Sequence, residues 1–412
     1  MTQDDRISTV IFDYAARIGS AQEPEALLHL NAGMARDLTG ADRCSLWLID
    51  AKSGELWTKV AHGVPELRIP PGTGLVGACI ATGETILVND ASHDPRFLQG
   101  VDKKSGYETH SVLVLPMRSA SGAIIGALQA LNKPGGFTDD DIKLLNLAVS
   151  YSASAIETQQ LRQEAEETKL LHKELAIARD VQNQLFPQNP PVLPGLDYAA
   201  FCRPARFVGG DYYDFTALPD GALFFSIGDV SGKGVAAAVL MASIQASLRT
   251  QVVTRPASLA DLITFFNKAV YSFAGGVKYS TLFVGIVDVA ERRLTYVNAG
   301  QSPPLIVRAA SGAIEQLTEG GMPVGLMPVG RYAQGVVQLE PGDLVFCCSD
   351  GISEVTNIRE EIWEDADLES AVAACAAGSA QQAIESVVKG ADAFTGEADQ
   401  SDDMTIVALK LV

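Results

Sequence analysis

A long stretch with nothing to stop a helix divides this chain. From Gln159 to Gln184 there is no Gly and no Pro, and the run is strongly polar. It ends at Pro187, Pro190, Pro191 and Pro194, each of which lacks a backbone donor and fixes φ, so no helix continues through them. Upstream, Asp139, Asp140 and Asp141 put carboxylates at the positive end of the same helix. At 412 residues the chain also exceeds what one core normally serves. The expected division is a folded domain over 1–157, a helical connector over 158–186 and a second domain over 187–412. Within the connector Leu161, Leu171, Leu175, Ala178 and Leu185 recur at helical spacing, but Glu164, Thr168 and Gln182 interrupt the register. A two-stranded helix pairing two copies of the chain and a solvated spacer both remain open readings.

Charge and cysteine usage narrow the function classes. There are 31 Lys and Arg against 50 Asp and Glu, a net charge of −19. A surface of that sign repels phosphate backbones, which argues against general nucleic-acid or anionic-membrane binding. The six Cys are scattered, without a C-x-x-C pair, and Cys347 and Cys348 follow the apolar Leu344-Val345-Phe346, so they read as buried thiols. The acidic start, Gln3-Asp4-Asp5, does not resemble a secretory leader, and no run reaches about 18 uncharged apolar residues. A cytoplasmic location is the expectation.

The first domain reads as α+β. Residues 6–40 have helical periodicity, with Val10, Ile11 and Tyr14 on one face. Cys44 to Asp50 and Leu56 to Val60 form a hairpin around Ser53-Gly54, and Gly72 to Gly77 opens a short helix. Ser111 to Met117 and Ala123 to Leu131 form a second hairpin around Ala120-Ser121-Gly122. With Gly72-x-Gly74-Leu75-x-Gly77, Leu115-Pro116, Ile125-Gly126-Ala127-Leu128, and Asn132-Lys133 followed by Phe137-x-x-x-Asp141, residues 8–157 resemble a GAF domain. The resemblance implies an antiparallel sheet with helices that senses a small molecule. A cyclic nucleotide is one candidate ligand, although Ile142 stands where the cyclic-nucleotide pattern has Glu. Bilin attachment fits less well, because Cys44 and Cys79 fall in an expected strand and helix.

The second domain carries its chemistry in carboxylates. Four acidic clusters each end an apolar run: Gly209-Gly210-Asp211-Tyr212-Tyr213-Asp214, Gly228-Asp229-Val230-Ser231-Gly232-Lys233-Gly234, Ser349-Asp350-Gly351 and Asp402-Asp403-Met404-Thr405. A carboxylate at the end of a buried strand is costly without a positive partner, and the basic residues nearby in sequence are only Arg203, Arg206 and Lys233. A single such Asp is usually a turn or helix cap, as Asp343 after Pro341-Gly342 and Asp220 before Gly221 are read. Four together suggest divalent metal, and an all-oxygen donor set selects Mg²⁺ or Mn²⁺ over zinc. All five His lie at or before residue 172, which excludes a His-based zinc site or a Ser-His-Asp triad beyond it. The Gly232-Lys233 step lacks the spacing and following Ser/Thr of a phosphate-binding P-loop.

These four clusters, in this order, resemble the metal-dependent (PPM, type 2C) serine/threonine phosphatases, in particular the bacterial branch that regulates sigma factors and sporulation. Asn298-Ala299-Gly300-Gln301-Ser302-Pro303-Pro304, Pro323-Val324-Gly325-Leu326 and the lead-in Glu174-Leu175…Leu185-Phe186-Pro187 extend the likeness over residues 180–412. The resemblance implies a β-sandwich flanked by helices with two Mn²⁺ or Mg²⁺ ions at one end. It implies that Asp211 and Asp229 approach both metals and are the catalytic pair, that the Val230 carbonyl is a further ligand, and that Asp350 with Asp402 or Asp403 completes the set, Asp402 being preferred. Asp214 is a weaker candidate, and Arg203 or Arg206 would hold a phosphoryl oxygen. The implied function is hydrolysis of phosphoserine on a small anti-anti-sigma-type protein, regulated by the GAF domain and a homodimer built through connector and GAF. The alternative is a non-catalytic phosphoprotein-binding adaptor, or a ligand sensor with a vestigial phosphatase fold.

Overall fold

The computed structural model describes residues 3–21, 24–50, 53–60, 67–98, 100, 102, 106–254 and 258–412. They form two compact units, the second beginning at Leu171.

In the first unit, six antiparallel strands lie in the order β3-β2-β1-β6-β5-β4: β1 is Arg43–Ile49, β2 Leu56–Val60, β3 Leu67–Ile69, β4 Ile86–Val88, β5 Val112–Arg118 and β6 Ile124–Leu131. The two sheet faces are set by period-2 alternation. Along β5, Leu113, Leu115 and Met117 face the core shared with helices α1 (Gln3–Ser20), α2 (Pro24–Thr39) and the start of α4 (Asp139–Leu185). Val112 and Val114 face the opposite core, under α3 (Gly74–Thr82). The single helix expected over 6–40 is two helices. Pro24 opens the second, where its missing N–H costs nothing and its φ is already helical. Gly77, within α3, is required sterically: a Cβ there would lie 2.5 Å from the Gly72 carbonyl carbon.

The second unit is a sandwich of two sheets between two helical layers. One sheet holds β8 (Tyr212–Ala217), β9 (Leu223–Val230), β10 (Ser280–Asp288) and β11 (Arg293–Ala299). The other is built on β7 (Leu196–Arg203), β12 (Leu305–Val307), β13 (Ile314–Gln316), β16 (Leu344–Cys348) and β17 (Met404–Leu411), while β14 (Gly320–Gly321) and β15 (Gly335–Gln338) pair with β11 of the first sheet. β9, β16 and β17 are buried on both faces, which is why they read as nearly unbroken apolar runs. In β9, Leu223, Phe225 and Ile227 point between the sheets, while Phe224 and Val230 point to helices α5 (Val235–Val253) and α6 (Leu259–Phe273). In β16 the same alternation sends Cys347 between the sheets and Cys348 to the other helical layer, so the adjacent thiols face away from each other. Helix α5 is long and apolar enough to cross a membrane by length and composition, yet Met241, Ile244, Leu248 and Val252 are buried in this core.

Helix α4 is continuous from Asp139 to Leu185. Its residues 160–174 are exposed. Beyond them Leu175, Ala178 and Leu185, part of the register expected for a seam, are half-buried, whereas Leu170, Ile177 and Val181 are exposed.

Candidate metal centre

Strand pairing brings the acidic clusters to one end of the sandwich. Tyr212 pairs with Gly228 across β8 and β9, so Asp211, just before β8, meets Asp229 near the end of β9. Cys348 pairs with Ile406 across β16 and β17, so Asp350, just after β16, meets the Asp402-Asp403 segment just before β17. The second pair packs tightly: a Cβ on Gly351 would come 2.0 Å from the Asp403 carbonyl oxygen, so only glycine lets this turn close. Residues up to 191 positions apart, Asp211 and Asp402, thus share one electrostatic environment.

Their charges are poorly compensated. Asp211 is 2% exposed, and its Oδ2 has no hydrogen-bond partner. Burial, reinforced by the Asp229 charge, holds the Asp211 carboxyl well above the usual carboxylate range. Asp229 is pushed up to about 7, first by burial and then by the charges of Asp350, Asp402 and Asp403. Burial, then Asp402 and Glu354, raises Asp350 as well. One cation answers them in part: Lys233 Nζ lies 2.8 Å from Asp402 Oδ2 and donates to the Ser401 carbonyl at 2.8 Å.

The two adjacent aspartates do different things. Asp403 accepts from the Ala205 N–H through Oδ1 (2.8 Å) and from the Gly210 N–H through Oδ2 (2.7 Å), so both oxygens are committed to the backbone. Asp402 faces outward, 40% exposed. Asp214 is also committed: Arg249 binds it through Nε at 2.7 Å and Nη2 at 2.6 Å, which makes it a buried anchor for α5. Arg203 is held by Asp392 and Gln400. Arg206 is exposed and has no ion-pair partner among the described residues.

The sequence reading attached no role to several residues that build the site. Ser280 Oγ donates to the Asp229 carbonyl at 2.8 Å. Thr281 Oγ1 donates to Gln301 Oε1 (2.7 Å), whose Nε2 donates to the Cys348 carbonyl at 3.0 Å. Gln301 therefore ties β10, the strand paired with the one that carries Asp229, to the strand that leads to Asp350. The Asn298…Gln301 motif was the available signal, since polar residues interrupting an apolar strand need internal partners.

The donor set fits a hard divalent cation. It is all oxygen, and Asp211 Oδ2 is a buried carboxyl oxygen with no hydrogen-bond partner. Among the described residues no three His, Cys, Asp or Glu side chains close on a single point.

In the first unit, the Asn132-Lys133…Asp141 pattern is internally satisfied. Asn132 Oδ1 accepts from the His110 and Ser111 N–H groups, and Lys133 Nζ binds Asp141 at 2.6 Å. A cavity of about 100 Å³ lies elsewhere in this unit, lined by Trp47, Leu75, Phe97, Leu98, Tyr107 and Gln129. It is smaller than the roughly 300–1,000 Å³ usual for small-molecule sites.

Comparison with known proteins agrees with both halves. The GAF domain family model matches residues 23–156, and the family model for stage II sporulation protein E (SpoIIE) matches residues 219–412. The chain joins a GAF domain to a phosphatase domain of the SpoIIE family. It is 27% identical over 330 residues to protein IcfG of Synechocystis, covering 73% of this chain and 51% of IcfG. It is 26% identical over 271 residues to the phosphoserine phosphatase RsbU of Bacillus subtilis, covering 65% of this chain and 78% of RsbU. The chain thus spans about half the length of IcfG. The solved SiaA-PP2C domain of Pseudomonas aeruginosa superposes with a TM-score of 0.54 at 19% identity, over 60% of this chain and all of that domain, which shows a shared fold.

Proposed function

We propose that this protein is a metal-dependent serine/threonine phosphatase that removes phosphate from phosphoserine on a small regulatory protein of anti-anti-sigma type, under control of its GAF domain. The observation that carries the reading is the convergence of Asp211, Asp229, Asp350 and Asp402 at one end of the sandwich, with Asp211 Oδ2 buried and unpartnered. The likeness to RsbU supports the substrate class.

In this reading Asp211 and Asp229, with the Val230 carbonyl, hold two Mn²⁺ or Mg²⁺ ions, Asp350 and Asp402 complete the set, and Asp403 serves the backbone instead. Bound there, such ions supply a water of lowered pKa and offset the charge that builds on a transferring phosphoryl group. Arg206, unpaired on the loop beside Asp211, is the side chain free to orient a phosphoryl oxygen. Ser280 and Gln301 hold the strand ends so that the carboxylates keep their spacing. The exposed Leu170, Ile177 and Val181 lie on one helical face and offer a strip for a second copy of the connector. The composition suits a cytoplasmic protein.

The test is phosphate release from a phosphoserine protein by the full chain, with and without Mn²⁺, comparing wild type with Asp229→Asn. Turnover is expected only with Mn²⁺, and the substitution is expected to lower it by about 100-fold or more, since even outer-shell partners of a metal cost 10–100-fold. Turnover that needs no metal, or that survives the substitution, would sink the proposal. Phosphoprotein binding without any turnover would favour an adaptor.

A further inference from the structure

The loop from Pro204 to Asp211 carries both Arg206 and the buried Asp211, yet among the described residues no backbone-to-backbone hydrogen bond holds it between β7 and β8. Side chains hold it instead. From one side Asp403 accepts the Ala205 and Gly210 N–H groups. From the other, Gln182 acts as a substitute peptide unit: its Nε2 donates to the Gly209 carbonyl at 2.7 Å, and its Oε1 accepts from the Gly209 N–H at 3.1 Å. Gln182 is 6% exposed, so water cannot replace these bonds cheaply. Phe207 of the same loop packs 5.3 Å from His172. Both Gln182 and His172 belong to α4.

The clamped segment has no slack against the site. A Cβ on Gly209 would lie 2.2 Å from Asp403 Oδ2, and one on Gly210 would lie 2.8 Å from the Val230 carbonyl oxygen and 3.1 Å from Asp229 Oδ1. A shift of Gly209 therefore changes the distance between Asp211 and Asp229. We infer that Gln182 is a positioning residue of the carboxylate site: its paired bonds to Gly209 set the geometry in which Asp211 and Asp229 receive metal. In sequence this Gln interrupts a hydrophobic seam and falls within the lead-in run from Glu174 to Pro187. Its polarity at that register position is what the loop requires.

This inference rests on the metal reading above, and its test separates the two. Mn²⁺ binding to the full chain is measured by calorimetry for wild type, Gln182→Met and Gln245→Met. Methionine preserves volume but removes the hydrogen bonds. Gln245 is a matched control, 4% exposed and donating to the Leu185 carbonyl at 2.8 Å without touching the loop. Gln182→Met is expected to weaken Mn²⁺ binding about 10-fold, as for other residues that orient metal ligands, and Gln245→Met to leave it within about two-fold. Wild-type affinity in Gln182→Met, or equal weakening in both variants, would overturn the inference. Wild type failing to bind Mn²⁺ would remove the metal reading, and this inference with it. Should Gln182→Met not fold, hydrogen exchange on wild type decides: Mn²⁺ should protect peptides spanning 175–186 and 204–212 together, and protection of the loop alone would count against the coupling.

Discussion

Both units of this molecule place acidic residues at the ends of apolar elements, and the two are treated in opposite ways. In the GAF unit Asp141 is buried but answered: Lys133 reaches it at 2.6 Å, and the Thr138 N–H and hydroxyl both donate to its Oδ2. In the phosphatase unit Asp211, Asp229 and Asp350 face one another across strand ends, and Asp211 Oδ2 has no donor. A satisfied buried carboxylate is a packing device. An unsatisfied cluster weakens the fold until a cation arrives, which is how a binding site differs from a strut.

The largest effects should separate the two kinds. Asp229→Asn, expected to lower turnover, relieves repulsion among the carboxylates and should raise the melting temperature of the metal-free protein, by about 2–4 °C for each kcal/mol recovered. Asp141→Asn leaves Lys133 partly buried and unpaired and should cost the GAF unit about 2–4 kcal/mol, without changing Mn²⁺ affinity. Calorimetric melting of both variants checks the contrast, and destabilisation of the metal-free protein by Asp229→Asn would erase it.

A pH series sharpens the same point. Asp229 is raised from 3.8 to about 7 in the folded protein. Over that window the native state holds more protons than the unfolded chain, so this cluster makes metal-free stability fall as pH rises from about 4 towards 7, then level off. Saturating Mn²⁺ should flatten or reverse the slope, because metal competes with protons for the same oxygens. Denaturant melts from pH 5 to 8, with and without Mn²⁺, read this directly; a rising metal-free slope confined to this cluster would contradict it.

The smallest contrast lies between two arginines. Arg206→Ala should raise KM for the phosphoprotein about 10-fold with little change in stability. Arg203→Ala, which breaks an ion pair half in solvent, should cost no more than about 1 kcal/mol and leave KM nearly unchanged. Steady-state kinetics on both variants measures this. Equal KM values would remove Arg206 from the site.

Much of this was legible in the chain, and the exceptions have a common cause. Strand and helix periodicity located the hairpins, the connector and the four acidic clusters, because alternation and turn residues are local properties. The roles of Asp402 and Asp403 could not be separated from neighbouring letters: what distinguishes them is that Asp403 meets the Ala205 and Gly210 amides, nearly 200 positions away. Asp214, the weaker candidate in sequence, is taken up by Arg249. Asp343 closes the turn on Glu340 that its neighbours suggest, and its 1% exposure and ion pair with Arg308 at 2.8 Å were not legible beside it.

By itself, the sequence determined that there are two folded regions and a helix between them, that no imidazole serves the second region beyond residue 172, and that its chemistry falls to aspartates. Those are matters of composition and short-range pattern. Only the tertiary structure decided which aspartates are left unpaired. Whether a carboxylate is a strut or a ligand depends on what donors the fold delivers to it, and long-range pairing delivers Lys133 to Asp141, Arg249 to Asp214 and Gln182 to the loop of Asp211, while Asp211 Oδ2 receives none.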